Sequence, residues 1–182
     1  MVIGDPVTED NQVVSGNIIA RNDLPKTTFS KSQEMRKDAQ PSLSFFRNSA
    51  AMRFELPNNK QSVMLVMRGA TGEKNDKGKP VYDNQNRIVM SLKQQDLGPI
   101  IYFLKYAPDI ENIQPVKLYH DHSNGSKNLL IKYNAENGGF SFNLDSKSKE
   151  GQVNKAWIIL NSQEVLCIEI LLTYLFPIIL GF

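Results

Sequence analysis

Beyond residue 42 the chain alternates short apolar runs of strand length with two longer stretches whose apolar residues recur at helical spacing. "LSFFRNSAAMRFEL" (43–56) is apolar and aromatic around a small-residue centre, which predicts a strand with a bend or bulge. "SVMLVMR" (62–68) has strand length, and "GATGEKNDKGKP" after it reads as a mobile hairpin loop ending at Pro80. "RIVMSL" predicts another strand. "QQDLGPIIYFLKYA" then places Leu97, Ile100, Ile101 and Leu104 on one helical face. Pro99 fits a helix only in its first turn, so the helix start is expected between Gln94 and Gly98.

The second half repeats this plan. "VKLYH" and "NLLIKY" predict strands around the turn "DHSNGS". "NAENGG" predicts a hairpin turn, because Asn-Gly supplies the positive-φ residues that a tight connection needs. "FSFNL" alternates strictly and "KAWIIL" leads into a second helix, whose start is marked by the capping-box spacing of Asn161 and Glu164. The strand-to-helix stretch itself recurs: "MSLKQQDLGPIIYFLKYAP" returns as "ILNSQEVLCIEILLTYLFP". At one constant offset Leu92 falls on Leu160, Gln95 on Gln163, Asp96 on Glu164, Leu97 on Val165, Ile100 on Ile168 and Tyr106 on Tyr174. The expected fold is α+β, about four strands and a helix twice over, with antiparallel sheets backed by helices.

Composition narrows the class. A chain of 182 residues holds one domain, or two small repeats sharing a core, and 41% hydrophobic with 22% charged residues is typical of a soluble globular protein. A net charge of +2 gives no global attraction to a polyanion, so local clustering must carry any such case. Residues 1–40 have little periodicity and few large apolar groups, which predicts a flexible arm ahead of a domain at 41–182, with neither a secretory signal nor a transit peptide. A lone cysteine, Cys167, excludes an internal disulfide and suits a reducing compartment. The apolar run 165–182 has about one bilayer length, but Glu169, Pro177 and the more polar first copy favour a buried helix over a membrane span.

No catalytic constellation is legible: no phosphate-cradling Gly-Lys loop, nucleophile elbow or zinc-type cysteine pair. His120 and His122 flank Asp121 in what reads as a solvated turn, so neither a metal nor another cofactor is expected, nor is enzymatic activity. The remaining candidates are cations and aromatics on strands and loops. Arg47, Arg53, Arg68, Arg87, Lys117 and Lys132 are placed to meet phosphates. Phe46, Tyr82, Tyr119, Tyr133, Phe140 and Phe142 offer rings on which bases can stack.

Four segments in order resemble one family, the Whirly single-stranded DNA-binding proteins. "FFRNSAAMRFELP" (45–57) is similar to the family's aromatic–Lys-Gly-Lys-Ala-Ala-Leu strand. "VYDNQNRIVMSLKQQDLG" is similar to its Tyr-Asp-Trp stretch and following helix start. "YHDHSNGSKNLLIKY" resembles the His-Asp-Pro turn, and "YLFPIILGF" the C-terminal Pro-x-x-Leu-Gly-Trp. The chain departs from the pattern at Arg47-Asn48-Ser49, which keeps only the first of two positive charges, and at Asn84, where the family has Trp.

The resemblance implies two four-stranded antiparallel sheets, each followed by a helix, in a tetramer with central helices and outward sheets. It implies single-stranded DNA as partner, with RNA as the alternative, in DNA maintenance, repair or transcription regulation. It adds Ser49 and Met52 to the expected contacts. It also implies an intracellular, nucleoid-associated site of action, in an organelle or nucleus. A non-catalytic oligomerisation module that binds protein is the reading of another class.

Overall fold

Strands and helices follow the predicted order in the structure, a computed structural model that describes residues 41–182; the arm expected at 1–40 lies outside the described residues. The elements are β1 (Ser42–Phe46), β2 (Ala50–Glu55), β3 (Val63–Lys74), β4 (Pro80–Tyr82), β5 (Ile88–Leu92), α1 (Gln94–Tyr106), β6 (Val116–His122), β7 (Gly125–Asn134), β8 (Gly139–Ser148), β9 (Val153–Leu160) and α2 (Ser162–Leu180). All strand pairs are antiparallel. The second sheet runs β6-β7-β8-β9. In the first, β1 pairs β2 and β2 pairs β3, and β3 then pairs β5 through its first half and β4 through its second. β4 and β5 thus share one lane, so that sheet is also four strands wide.

Two expectations change in detail. The strand expected over 43–56 is two strands, because the small residues after Phe46 allow a tight corner closed by the Arg47 N–H donating to the Ala50 carbonyl at 2.9 Å. The loop expected after Arg68 is mostly strand: β3 continues to Lys74, with a register shift between Ala70 and Lys74. Gly72, at φ 88°, sits within that shift, where a side chain would be strained. Gly125 is as demanding. A Cβ there would lie 2.0 Å from the Lys147 carbonyl oxygen, so only glycine lets β7 leave the β6–β7 turn beside β8.

Alternation then sorts side chains onto two faces. The first sheet turns Phe45, Met52, Phe54, Leu65, Met67 and Met90 inward. The second contributes Leu129, Ile131, Phe140, Phe142, Leu144 and Ile158, and these join Leu97, Ile100, Ile168 and Leu172 of the helices in one core cluster. The two repeats therefore share a core.

The repeated stretch is the strand-to-helix corner of each half. Leu92 and Leu160 end β5 and β9, and the next residues, Lys93 and Asn161, are the N-caps of α1 and α2. Asp96 and Glu164 occupy the same third position of each helix and reach back, accepting from the Lys93 N–H at 2.8 Å and the Asn161 N–H at 3.0 Å. That satisfies a donor no intrahelical carbonyl can reach. Pro99 falls in the second turn of α1 and Pro177 inside α2, not at helix edges. The carbonyls each deprives of a partner belong to Gln95 and Thr173, both exposed to water.

α2 is buried on one face only. Val165, Ile168, Leu172 and Leu175 enter the core, while Leu166, Ile170 (58% exposed) and Tyr174 form an apolar ridge on the opposite side. It is the one helix among the described residues long and apolar enough to cross a membrane. The matching ridge on α1 is Tyr102 and Tyr106, whose rings lie 4.9 Å apart.

Candidate nucleic-acid interface

The outward face of the second sheet is built in rows. Register places Lys117, Leu130, Asn143 and Trp157 opposite one another across the four strands, with Tyr119, Asn128, Asp145 and Lys155 as the adjoining row. Lys132, Ser141 and Ile159 form a third. Directly opposed residues project from the same side of a sheet, so the rings of Tyr119 and Trp157 and the side chain of Ile159 stand among three lysines. All six are exposed, Trp157 by 50%. Among the described residues no carboxylate pairs with Lys117, Lys132 or Lys155. A half-exposed Trp among lysines is a surface that a ligand both aromatic and anionic can cover.

On the first sheet the outward row is Phe46, Ala51 and Arg68. Phe46 is 56% exposed, and its ring lies 5.9 Å from that of Tyr82. The Tyr82 hydroxyl donates to the Arg47 carbonyl at 3.0 Å, which ties β4 to the β1–β2 corner. Arg68 Nη1 donates to Asn84 Oδ1 at 2.8 Å, and its Nε is buried without a partner among the described residues.

Other predicted cations are partly committed. The Arg47 guanidinium pairs with Glu164 at the start of α2, and Arg53 pairs with Glu55 at 3.0 Å. Arg87 is exposed just ahead of β5. Ser49 is a joint between the sheets: its hydroxyl donates to the Trp157 carbonyl at 3.2 Å. That bond places the β1–β2 corner beside β9.

Four predicted contacts are corrected. Met52 and Phe140 are each 1% exposed, and Phe142 is fully buried. They have core parity, one residue out of step with the outward rows. Tyr133 is half-buried against the core, its ring 4.8 Å from that of Phe140. His120 is not in a solvated turn: it lies in β6, with Nε2 3.2 Å from the buried Asp96 carboxylate, and ties that strand to α1. His122 Nδ1 accepts from the Asn124 N–H at 3.3 Å. Among the described residues no three His, Cys, Asp or Glu side chains cluster as a metal site.

Sequence reading missed Lys155, Trp157 and Ile159. The apolar run "AWIIL" hides them in the sequence; only the strand's burial separates the faces, with every second residue from Ala156 buried and those between exposed. The connection after Tyr82 adds one perturbed group. Asp83 accepts from the Asn86 and Gln85 backbone N–H groups and the Asn86 amide, and these bonds, those of Asn86 foremost, hold its carboxyl below the ordinary 3.8.

No protein-family model matches the chain, and no curated protein matches it in sequence. Solved structures do. WHY1 from Arabidopsis thaliana superposes with a TM-score of 0.62 over 79% of this chain and 86% of that one, at 14% identity. The plant transcriptional regulator PBF-2 gives 0.61 over 79% and 84%, at 19% identity. WHY3 from Arabidopsis thaliana gives 0.57 over 78% and 89%, at 16% identity. The described residues therefore have the Whirly fold, two four-lane antiparallel sheets each followed by a helix.

Proposed function

We propose that this protein is a non-enzymatic, sequence-tolerant single-stranded DNA-binding protein of the Whirly type. The observation that carries the reading is the outward face of β6–β9, where Tyr119, Trp157 and Ile159 alternate with Lys117, Lys132 and Lys155, none of which pairs with a carboxylate among the described residues. Bases stack on the rings and the lysines neutralise phosphates. Every base has a π-face, so binding tolerates most sequences, and the phosphate share weakens as salt rises. A duplex keeps its bases stacked internally and gains only the phosphate share. The exposed ridges of α1 and α2 support self-association, with the homotetramer implied by the family resemblance as the proposed assembly. Roles in DNA maintenance, repair or transcription regulation, at an intracellular nucleoid-associated site, belong to the same proposal.

Fluorescence anisotropy tests it, with a labelled oligo-dT of about 30 nucleotides, long enough to cross several stacking sites, in a salt series beside a matched duplex. Tight, salt-sensitive binding to the single strand alone is expected; equal affinity for both forms would sink the reading. An RNA oligomer of the same sequence separates the RNA-binding alternative. A stable oligomer that binds neither nucleic acid would turn the proposal to a protein-binding assembly module, which the exposed α2 ridge favours.

A further inference from the structure

The cleft where the β3–β4 hairpin meets the β1–β2 corner is unlike the open rows of the second sheet. It encloses about 490 Å3, lined by Phe46, Arg47, Asn48, Asn75, Lys79, Pro80 and Tyr82. That volume falls within the roughly 300–1,000 Å3 of small-molecule sites. Its walls are preorganised. Tyr82 is fixed by its bond to the Arg47 carbonyl, Pro80 is stiff, and Phe46 leaves an open ring face. Asn75 Oδ1 accepts from the backbone N–H groups of Lys77 and Lys79, each at 3.0 Å. That orients the amide and leaves Nδ2, a donor only, to face a ligand. Arg47 spends its charge on Glu164, so Lys79, with no carboxylate partner among the described residues, is the cation left at the rim.

We infer that this cleft takes one unstacked nucleobase bearing a carbonyl, flat on Phe46, with a flanking phosphate at Lys79, and so gives the interface one position of base preference. This rests on the single-strand reading above and sharpens it. The donor-only amide is what selects. Thymine, uracil, cytosine and guanine each project a carbonyl oxygen that Asn75 Nδ2 can meet, whereas adenine offers only ring nitrogens, and its two-bond pairing with an amide is closed because Asn75 Oδ1 is taken by the turn. The open rows have no such oriented group and discriminate little.

Two measurements on the full chain test the pocket. Oligo-dT carrying 5-iodouracil is photocrosslinked and the adduct mapped by mass spectrometry; adducts at Phe46 or Tyr82 are expected. In parallel, affinities for oligo-dT and oligo-dA are compared between the wild type and Asn75→Asp. That variant keeps the oxygen that holds the turn and removes the donor, so the dT-to-dA affinity ratio should fall about fivefold, the worth of one hydrogen bond. The added negative charge weakens both oligomers alike and leaves the ratio as the readout. Adducts confined to residues 117–159 with an unchanged ratio would overturn the pocket and leave the single-strand reading standing. Failure of the wild type to bind any single strand at low salt would overturn both.

Discussion

At the scale of single residues, parity decides what a side chain can do. Trp157 and Ile158 are neighbours in β9, yet one is half exposed and the other fully buried. Trp157→Ala should therefore leave thermal stability nearly unchanged and weaken single-strand binding by about 1–3 kcal/mol, roughly 5- to 150-fold. Ile158→Ala should do the reverse, costing about 2–5 kcal/mol of stability through a core cavity. Anisotropy and urea unfolding on the same two variants separate the roles; a Trp157→Ala protein that binds normally would move the site off this sheet. Asp83 gives a residue-scale prediction in pH. Its carboxyl is held below its ordinary value by bonds to its charged form, so those bonds stabilise the 83–87 turn above the ordinary carboxylate range and are lost as pH falls through the lowered value. The amide resonances of Gln85 and Asn86 should titrate together in NMR with a midpoint below 3.8. A midpoint at or above it would mean the turn does not hold the carboxylate.

At the scale of elements, the two strand-to-helix corners use one device in two settings. Glu164 is partly exposed and also pairs with Arg47, whereas Asp96 is buried and its one other side-chain partner among the described residues is His120. Glu164→Ala should cost about 1–2 kcal/mol, because water can reach the freed Asn161 N–H. Asp96→Ala should cost more, about 2–3 kcal/mol, because the Lys93 N–H and His120 lose their acceptor where water enters poorly. Equal losses in urea unfolding would mean that burial does not set the difference. These corners were legible in the sequence: the echo of Leu92-to-Tyr106 in Leu160-to-Tyr174 carries the cap, the reach-back carboxylate and the buried face together. The β1–β2 corner and the long β3–β4 hairpin were not. Gly- and Lys-rich sequence looks like loop, and only pairing to Pro80–Tyr82 makes it strand. The site was half legible for a related reason. Phe46, Tyr119 and the lysines stand out by type, but Met52 and Phe140 look equally suitable until the register assigns them to the core. Arg47 and Ser49 gave no sequence sign that their partners would be Glu164 and the Trp157 carbonyl.

At the scale of the whole molecule, the question is what covers the ridge of α2. Leaving Leu166, Ile170 and Tyr174 in water forgoes about 1.5–3 kcal/mol per large side chain that burial would supply, and Tyr102 and Tyr106 on α1 extend the same liability. A bilayer is a poor candidate. Moving α2 into lipid would strip Val165, Ile168, Leu172 and Leu175 from the core they share with both sheets, and would carry Glu169 with them. A second copy of the chain offers an identical ridge, and closing ridge on ridge buries both while leaving the sheet rows free for ligand. Ile170→Glu should then convert the assembly to a folded monomer in light scattering, since that side chain touches no core. Val165→Glu, on the opposite face, should unfold the protein instead. Because a single strand gains affinity by crossing several linked sheets, the Ile170→Glu monomer should also bind long oligomers about 10²- to 10⁴-fold more weakly while binding short ones as the wild type does. An Ile170→Glu protein that keeps its mass and its affinity for long strands would place the assembly surface away from α2.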